Sequence, residues 1–409
     1  MKALVLCGGL PQIALTKELK SRGITVVMAD MNANVAGRAY ADIFYPVSTL
    51  DVEGIKQVAI QEKVDFLISV CADQVLQVVA EISEALGLPC YIDFATAVNV
   101  SKKSYMKRIF VENGIPTSHH VILDKLEDGK ISHLRYPLIV KPVDSYSSRG
   151  VKRVETFAQL ESAFDEAVNI SRTNTAVVEE FVSGDELTVD VYVEAGKAHV
   201  LCISNLYKIG EDGKFVINRS RIPAAVSQTI AARIADTAQK IADAFGLKNT
   251  PMLIQLISDG KDISVLEFCA RTGGGIKFLM IQKISGFDVI KAVADLTLGI
   301  KPHVGQIKKA QKLTVNEFVY CKPGELVRME GAQQLLEEGT IVEFSQFKSP
   351  GHTFGEIRSS GDRVAYFSVE ADTEQELMRK HARANQLLKA IGSCGEDLIR
   401  HDLIEKFHK

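Results

Sequence analysis

Short apolar runs alternating with stretches of helical periodicity organise the first hundred residues. Lys2 to Cys7 reads as a strand, Gly8-Gly9 as a turn and Pro11 to Ser21 as a helix closed by Gly23; a second strand, Thr25 to Ala29, ends at Asp30. The alternation continues through Asp51 to Glu62, Phe66 to Val70 and Asp73 to Leu86, so a parallel sheet covered by helices is expected. Asp73 is most simply the N-cap of its helix. A helix over Ser101 to Glu112 stops at Asn113-Gly114-Ile115-Pro116. Pro137 to Pro142, Thr175 to Val182 and Glu186 to Glu194 have strand patterns, and Ile276 to Gly299 is helical with a break at Ser285-Gly286 and a cap at Asp288. Strand alternation returns in Lys312 to Tyr320, Ile341 to Phe344 and Arg363 to Val369, with helices over Gly331 to Glu338 and Thr373 to Ile391, the last closed by Gly392. The chain therefore reads as α/β and α+β multidomain: a parallel βαβ domain over 1–100, a central domain over 101–305 and a small α+β domain over 306–409.

The densest chemistry lies in Met252 to Gly275. Two apolar runs flank Ser-Asp-Gly-Lys-Asp, whose Asp-Gly pair favours a tight reversal, so the segment is expected to be an antiparallel hairpin. Alternation groups Gln255 with Leu253 and Ile257, and Glu267 with Val265, and sets Gln255 opposite or diagonal to Glu267. Glu267 leads through Cys269 to Arg271 and three glycines. An oxygen ligand, a guanidinium and a loop with free N–H groups suit Mg2+ and anionic oxygens; the plain alternative is a hairpin whose polar residues face water. Lys141 ends an apolar strand beside a hydroxyl-rich loop, Ser145 to Gly150, which suits a polyphosphate or is simply a surface loop.

At 409 residues the chain has room for two or three cores. A net charge of −3 and a pI near 6.3 offer no electrostatic case for nucleic acid. The N-terminal apolar run is too short for a membrane span and lacks a cleavage region. Seven scattered cysteines, never spaced as CxxC, argue against a disulfide framework or a zinc site and suit a reducing cytoplasm. Gly8-Gly9 with Asp30 downstream lacks the GxGxxG spacing of a dinucleotide site, so a scaffold or substrate-contacting role is the better reading there.

Four short motifs occur in one order: Lys103 before Gly114-Ile115-Pro116; Tyr136 to Lys141 with its loop; Glu179-Glu180-Phe181-Val182 followed by Gly184-Asp185-Glu186; and Glu267 four residues before Arg271. In this the chain resembles the ATP-grasp superfamily, in the branch of L-amino-acid ligases, biotin carboxylase and the carbamoyl-phosphate synthase large subunit. The resemblance implies an ATP-grasp fold in the central domain with a mobile lid over about 115–182. It implies that Lys103 and Lys141 touch ATP phosphates, and that the loop carrying Ser147, Ser148 and Gly150 closes over them. It implies that Glu179 accepts from the adenine amino group, that Glu180 and Val182 offer main-chain groups to the ring, with Phe181 between them in the same cofactor-binding stretch, and that Glu186 bonds the ribose. The resemblance further implies that Glu267, with Gln255 opposite or diagonal, holds Mg2+, and that Arg271 faces the transferred phosphoryl group or the acceptor carboxylate. Lys208, Arg219 and Arg221 lie where related enzymes place basic groups at the reacting centre.

Two departures stand out: Gln255 replaces a usual second metal-binding carboxylate, and Cys269 a usual asparagine. An amide oxygen adds no charge and a thiol is a poor partner for a hard ion, so a second metal is expected to be weakly held or absent. The resemblance implies an ATP-dependent carboxylate–amine ligase working through an acylphosphate on an amino acid or similar small carboxylate, with a homodimer allowed. A bicarbonate-using carboxylase or carbamoyl-phosphate-type enzyme, and an ATP-binding module with little turnover, remain open alternatives.

Overall fold

The computed structural model describes residues 1–144, 150–209, 216–308, 310 and 312–405, with the backbone only at 128. Ser147 and Ser148 lie outside the described residues. Two compact units form: one from 1–117, 188–202 and 226–309, the other from 118–187, 203–225 and 310–409.

The first unit opens with a parallel sheet in the order Ile43–Tyr45, Thr25–Ala29, Lys2–Leu6, Phe66–Ile68. Continuous apolar runs suit strands covered on both faces, and Ala3 to Leu6 and Val26 to Ala29 are fully buried. Asp30 does more than end a strand: its carboxylate accepts from the Gly8 N–H (2.9 Å) and the Asn32 N–H (2.8 Å), so the Gly8 donor is taken up inside the scaffold. Asp73 is the first helical residue of Asp73–Leu86, not its cap; the cap position is Ala72, with no side-chain bond. Cys71, just before it, has φ 61°, in the left-handed region.

The hairpin forms as Thr250–Ser258 and Ile263–Cys269, with Gln255 directly opposite Glu267. The register then slips, because Leu256 pairs with Val265 and Leu266 is the extra residue of a bulge. Strict alternation places Glu267 and Val265 on one face; the bulge separates them. One face carries Ile254, Leu256, Val265 and Phe268, all 1% exposed or less. The other carries Gln255, Glu267 and Cys269, all half-buried. Phe268 packs on Phe245 (centroids 4.5 Å) and Phe110 (6.1 Å), which ties the hairpin to helix Lys103–Glu112.

The helical stretch after the glycines splits as expected into Lys277–Ser285 and Val289–Thr297. Asp288 caps the second, accepting from the Ile290 and Lys291 N–H groups, each at 3.0 Å.

In the second unit, Lys152–Val154, Leu138–Pro142, Ala176–Glu180 and His120–Leu123 form an antiparallel sheet backed by helix Phe157–Ile170. A further ladder runs Ile217–Ile222, Leu313–Val319, Ala365–Ala371, Glu343–Gln346. The last long helix, expected to reach Ile391, stops at Leu387, and Lys389–Gly392 is a strand on Gly324–Glu330. Leu388 turns to ψ 129° and is fully buried with Ala390, so burial on the neighbouring strand overrides helical continuation.

Replacing Asp288 with Ala removes both capping bonds and is expected to lower stability by about 1 kcal/mol, read as a shift of the urea midpoint at constant slope.

Candidate active site

On the open face of the hairpin, Glu267 meets Lys103, whose ammonium lies 3.3 Å from Oε2. Lys103 starts the helix Lys103–Glu112, and that helix is seated on the hairpin by Met106, whose sulfur accepts from the Phe268 N–H (3.4 Å). The next turn repeats the attachment: Lys107 donates to Thr117 (2.7 Å), whose hydroxyl donates to the Val265 carbonyl (2.9 Å). Burial alone depresses the Lys103 pKa, but the charge of Glu267 outweighs it and holds the ammonium above its ordinary range. Lys103 is therefore a buried, fully charged cation on a strand-borne acid.

Arg271 lies where the hairpin becomes the glycine loop, and its partner is Asp73. Nε donates to Asp73 Oδ1 at 2.6 Å, Nη2 donates to Oδ2, and Nη1 donates to the Thr272 carbonyl at 2.7 Å. This bidentate fork is the strong geometry for a guanidinium and a carboxylate. Burial opposes the Arg271 charge, yet Cys269 and Asp73 beside it raise its pKa. Burial likewise penalises the Asp73 carboxylate, but Arg271 holds it below the usual range. Burial pushes the Cys269 thiol well above its ordinary value, so it stays neutral.

In the second unit Lys141 is buried on the strand Leu138–Pro142 and pairs with Glu179, across the ladder, where Ser118 also donates to the carboxylate (2.8 Å). The Glu179 carboxylate, expected to face an adenine, thus holds a lysine and a serine, because a 3% exposed acid needs partners. The expected main-chain groups are partly in use as well: the Glu180 N–H donates to His119 (2.9 Å) and the Phe181 N–H to Pro137 (2.9 Å). The Glu180 side chain is held by Arg135, which lowers its pKa, and the Phe181 ring carries the Arg153 guanidinium at 4.3 Å. Val182 is half-buried beyond the strand end. Gly150, at φ 75°, has no room for a side chain: a Cβ would stand 2.8 Å from Ile170.

Lys208 and Glu186 pair at 2.5 Å, while the second oxygen of Glu186 is buried without a hydrogen bond among the described residues. Arg221 pairs with Glu374. Arg219 is 2% exposed on Glu317, which also meets His381 at 2.9 Å, and it donates to the Ile404 carbonyl at 2.9 Å. The three basic residues grouped by sequence therefore serve three different carboxylates. Three residues escaped the sequence reading: Asp73, disguised as a cap, and the Asp190–Lys277 pair (3.0 Å). An acid just beyond the end of a parallel strand is a signal that could have found Asp73; no local signal marks Asp190 in its apolar strand.

Asp73→Asn is expected to lower stability by about 3 kcal/mol, since Arg271 keeps a buried charge without its anion. The sign with pH follows from the lowered carboxyl: its contribution is complete above the ordinary Asp value of about 4 and fades as pH falls through the native value. Wild-type unfolding free energy should fall in that window with a slope that Asp73→Asn lacks. Arg219→Ala is expected to cost about 3–5 kcal/mol by stranding Glu317, with any surviving folded protein keeping its turnover number; a lost turnover in fully folded protein makes Arg219 a reacting group.

Residues 134–279 match the ATP-grasp domain family, and residues 317–391 match L-amino acid ligase C-terminal domain 2. A formate-dependent phosphoribosylglycinamide formyltransferase of Haemophilus ducreyi is 26% identical over 346 residues, spanning 82% of this chain and 85% of that protein. L-amino acid ligase from Bacillus licheniformis has the same fold, with a TM-score of 0.79 at 18% identity over 96% of this chain and 98% of that one. Phosphoribosylglycinamide synthetase from Anaerococcus prevotii gives 0.77 at 20% identity, covering 96% and 99%. The motif order, the match over residues 134–279 and the shared fold agree: the chain carries an ATP-grasp domain and is an ADP-forming ligase that uses ATP and Mg2+.

Proposed function

We infer that the chain joins a small carboxylate to an amine through an acylphosphate. The observation that carries this reading is the first unit's arrangement: a charged lysine on Glu267, Gln255 directly across the strand, and a buried arginine four residues on. The substrate carboxylate attacks the terminal phosphorus of ATP, ADP departs, and the amine then displaces phosphate to leave an amide. The domain division 1–100, 101–305 and 306–409 belongs to the same reading.

The donor set suits one Mg2+. Glu267 offers a half-buried carboxylate and Gln255 an amide oxygen, whereas the neutral Cys269 thiol is a poor ligand. Among the described residues no group of three or more His, Cys, Asp or Glu side chains is arranged for a metal. Mg2+ commonly takes one or two protein carboxylates and completes its shell with water and phosphate oxygens. When bound it offsets charge on the phosphate oxygens.

The remaining work is electrostatic and falls to the chain's own cations. Lys103 and Lys141, each kept in place by an acid, supply fixed positive charge for the phosphates. Arg271, oriented by Asp73, supplies a positive charge for the attacking carboxylate or the phosphoryl group in transfer. Lys208 and Arg221 are assigned to the same chemistry, and Glu186 to the ribose. The described helices include none long and apolar enough to cross a membrane.

ADP release should depend on both a carboxylate and an amine. A panel that includes formate, amino acids and bicarbonate, each with and without amines, tests this; substrate-independent ADP release, or bicarbonate as the sole activator, overturns the amide-forming reading. Glu267→Gln is expected to reduce the rate by about a hundredfold or more, the scale of losing one transition-state electrostatic contact. Gln255→Glu should lower the Mg2+ concentration needed for half-maximal rate. If it instead creates activity in a chain that has none, the natural protein is a nucleotide-binding module.

A further inference from the structure

The glycine loop that follows Arg271 is anchored at both ends by a buried ion pair. At its start Arg271 is forked by Asp73 and donates to the Thr272 carbonyl. At its end Lys277 opens the helix Lys277–Ser285; its ammonium lies 3.0 Å from Asp190 Oδ2 and donates to the Thr188 hydroxyl at 2.9 Å. Thr188 and Asp190 are alternate residues of the strand Asp185–Glu194 and so share a face. Asp190 is 1% exposed, and neither of its oxygens has a hydrogen bond among the described residues, so charge is what ties it to the lysine.

Between its anchors the loop lies on the second pair. A Cβ on Gly273 would stand 2.9 Å from Lys277 Cγ, 3.2 Å from Lys277 Cβ and 3.3 Å from Asp190 Oδ1. The Gly273 backbone therefore rests directly on the lysine stem and the acid, and it can do so only without a side chain. Its φ is not positive, so conformation does not call for glycine there; the close approach does. Thr272 and Gly273 are buried, whereas Gly274 and Gly275 are exposed. The half of the loop next to Arg271 is the half that the pair supports.

An ion pair is a poor device for stability in such a place. Taking two charges from water commonly costs more than their attraction returns, and apolar residues of similar volume often serve stability as well or better. The strand offers an apolar setting, since Val189 and Val191 on either side of Asp190 are also fully buried. We propose that Lys277 and Asp190 are positioning residues for the ligase reaction, holding the backbone beside Arg271 while Asp73 holds its guanidinium. A long side chain has a defined place only when both of its ends are fixed. The proposal rests on the ligase reading, in which Arg271 serves the attacking carboxylate or the phosphoryl group in transfer. Neither Lys277 nor Asp190 is asked to touch substrate; a shift of the reacting groups by about 1 Å is enough to cost on the order of a hundredfold in rate.

The test uses the full chain with ATP, Mg2+ and the carboxylate and amine that give the fastest ADP release. Lys277→Met alone strands a buried carboxylate, so the informative variant combines Lys277→Met with Asp190→Val and removes both charges. Its urea midpoint should match or exceed that of the wild type and its affinity for a non-hydrolysable ATP analogue should be unchanged, while turnover falls by about tenfold to a hundredfold. Gly273→Ala, which lifts the loop and keeps both charges, should lower turnover by a similar factor, and decides the matter if the double variant does not fold. On an Arg271→Gln background, whose amide can still donate to Asp73, removing the pair should cost little further turnover, because it acts through the arginine. Wild-type turnover in the folded double variant or in Gly273→Ala, or an equal loss with and without Arg271, overturns the proposal and makes the pair a packing element. The two readings fail separately. Carboxylate- and amine-dependent release that these variants leave intact sinks the positioning role and spares the ligase. Release that ignores both substrates sinks the ligase, and its rate in the variants still decides the positioning role; no release under any condition sinks both.

Discussion

The need to neutralise buried charge governs this molecule. Each cation assigned to phosphate or carboxylate chemistry comes with an acid of its own: Lys103 with Glu267, Lys141 with Glu179, Lys208 with Glu186, Arg271 with Asp73. Taking one ion from water costs several kcal/mol, and attraction to a well-placed counterion is what offsets it. The same low dielectric that makes an orphaned lysine expensive makes a paired one a strong, fixed source of positive potential. The acids therefore hold the cations in position in advance, and positioning in advance is most of what a protein contributes to phosphoryl transfer.

Holding those pairs is a matter of backbone geometry. The bulge at Leu266 shows this most directly. Without it, Glu267 would share a face with Val265 and compete for the aromatic core around Phe245 and Phe268; with it, Glu267 stands beside Gln255 on the open face, within reach of Lys103. One inserted residue thus reconciles an apolar strand with a functional acid, the use to which bulges are commonly put next to active sites. Asp73 reaches Arg271 for a related reason. Its helix starts where a parallel strand ends, the edge of an open α/β sheet where ligand-binding groups gather.

The departures from the family pattern shape the chemistry more than the fold. Gln255 and Cys269 leave the hairpin with one carboxylate for a metal and a neutral thiol beside the arginine. Charge that a second acid would carry is absent beside the Lys103–Glu267 pair. The buried Arg219–Glu317–His381 cluster illustrates the opposite use of charge, since its donors run to the backbone at Ile404 and join the ladder to the C-terminal helix. It specifies packing.

Periodicity by itself determined the elements: the βαβ opening, the 252 hairpin with Gln255 opposite or diagonal to Glu267, the broken helix after the glycines and the cap at Asp288 are all local consequences of side-chain spacing and turn chemistry. The order of four short motifs pointed to the ATP-grasp domain that residues 134–279 match. Tertiary structure decided what no local pattern encodes. It turned Asp73 from a cap into the partner of an arginine 198 residues away, gave Glu179 to Lys141, dispersed Lys208, Arg219 and Arg221 among three acids, and made a strand of Lys389–Gly392 where helical spacing ran on. The reason is that periodicity reports how a segment meets water and core, averaged over a few residues, whereas a charge pair is settled by which distant carboxylate the folded chain brings within 3 to 4 Å in a medium too poor to solvate it alone.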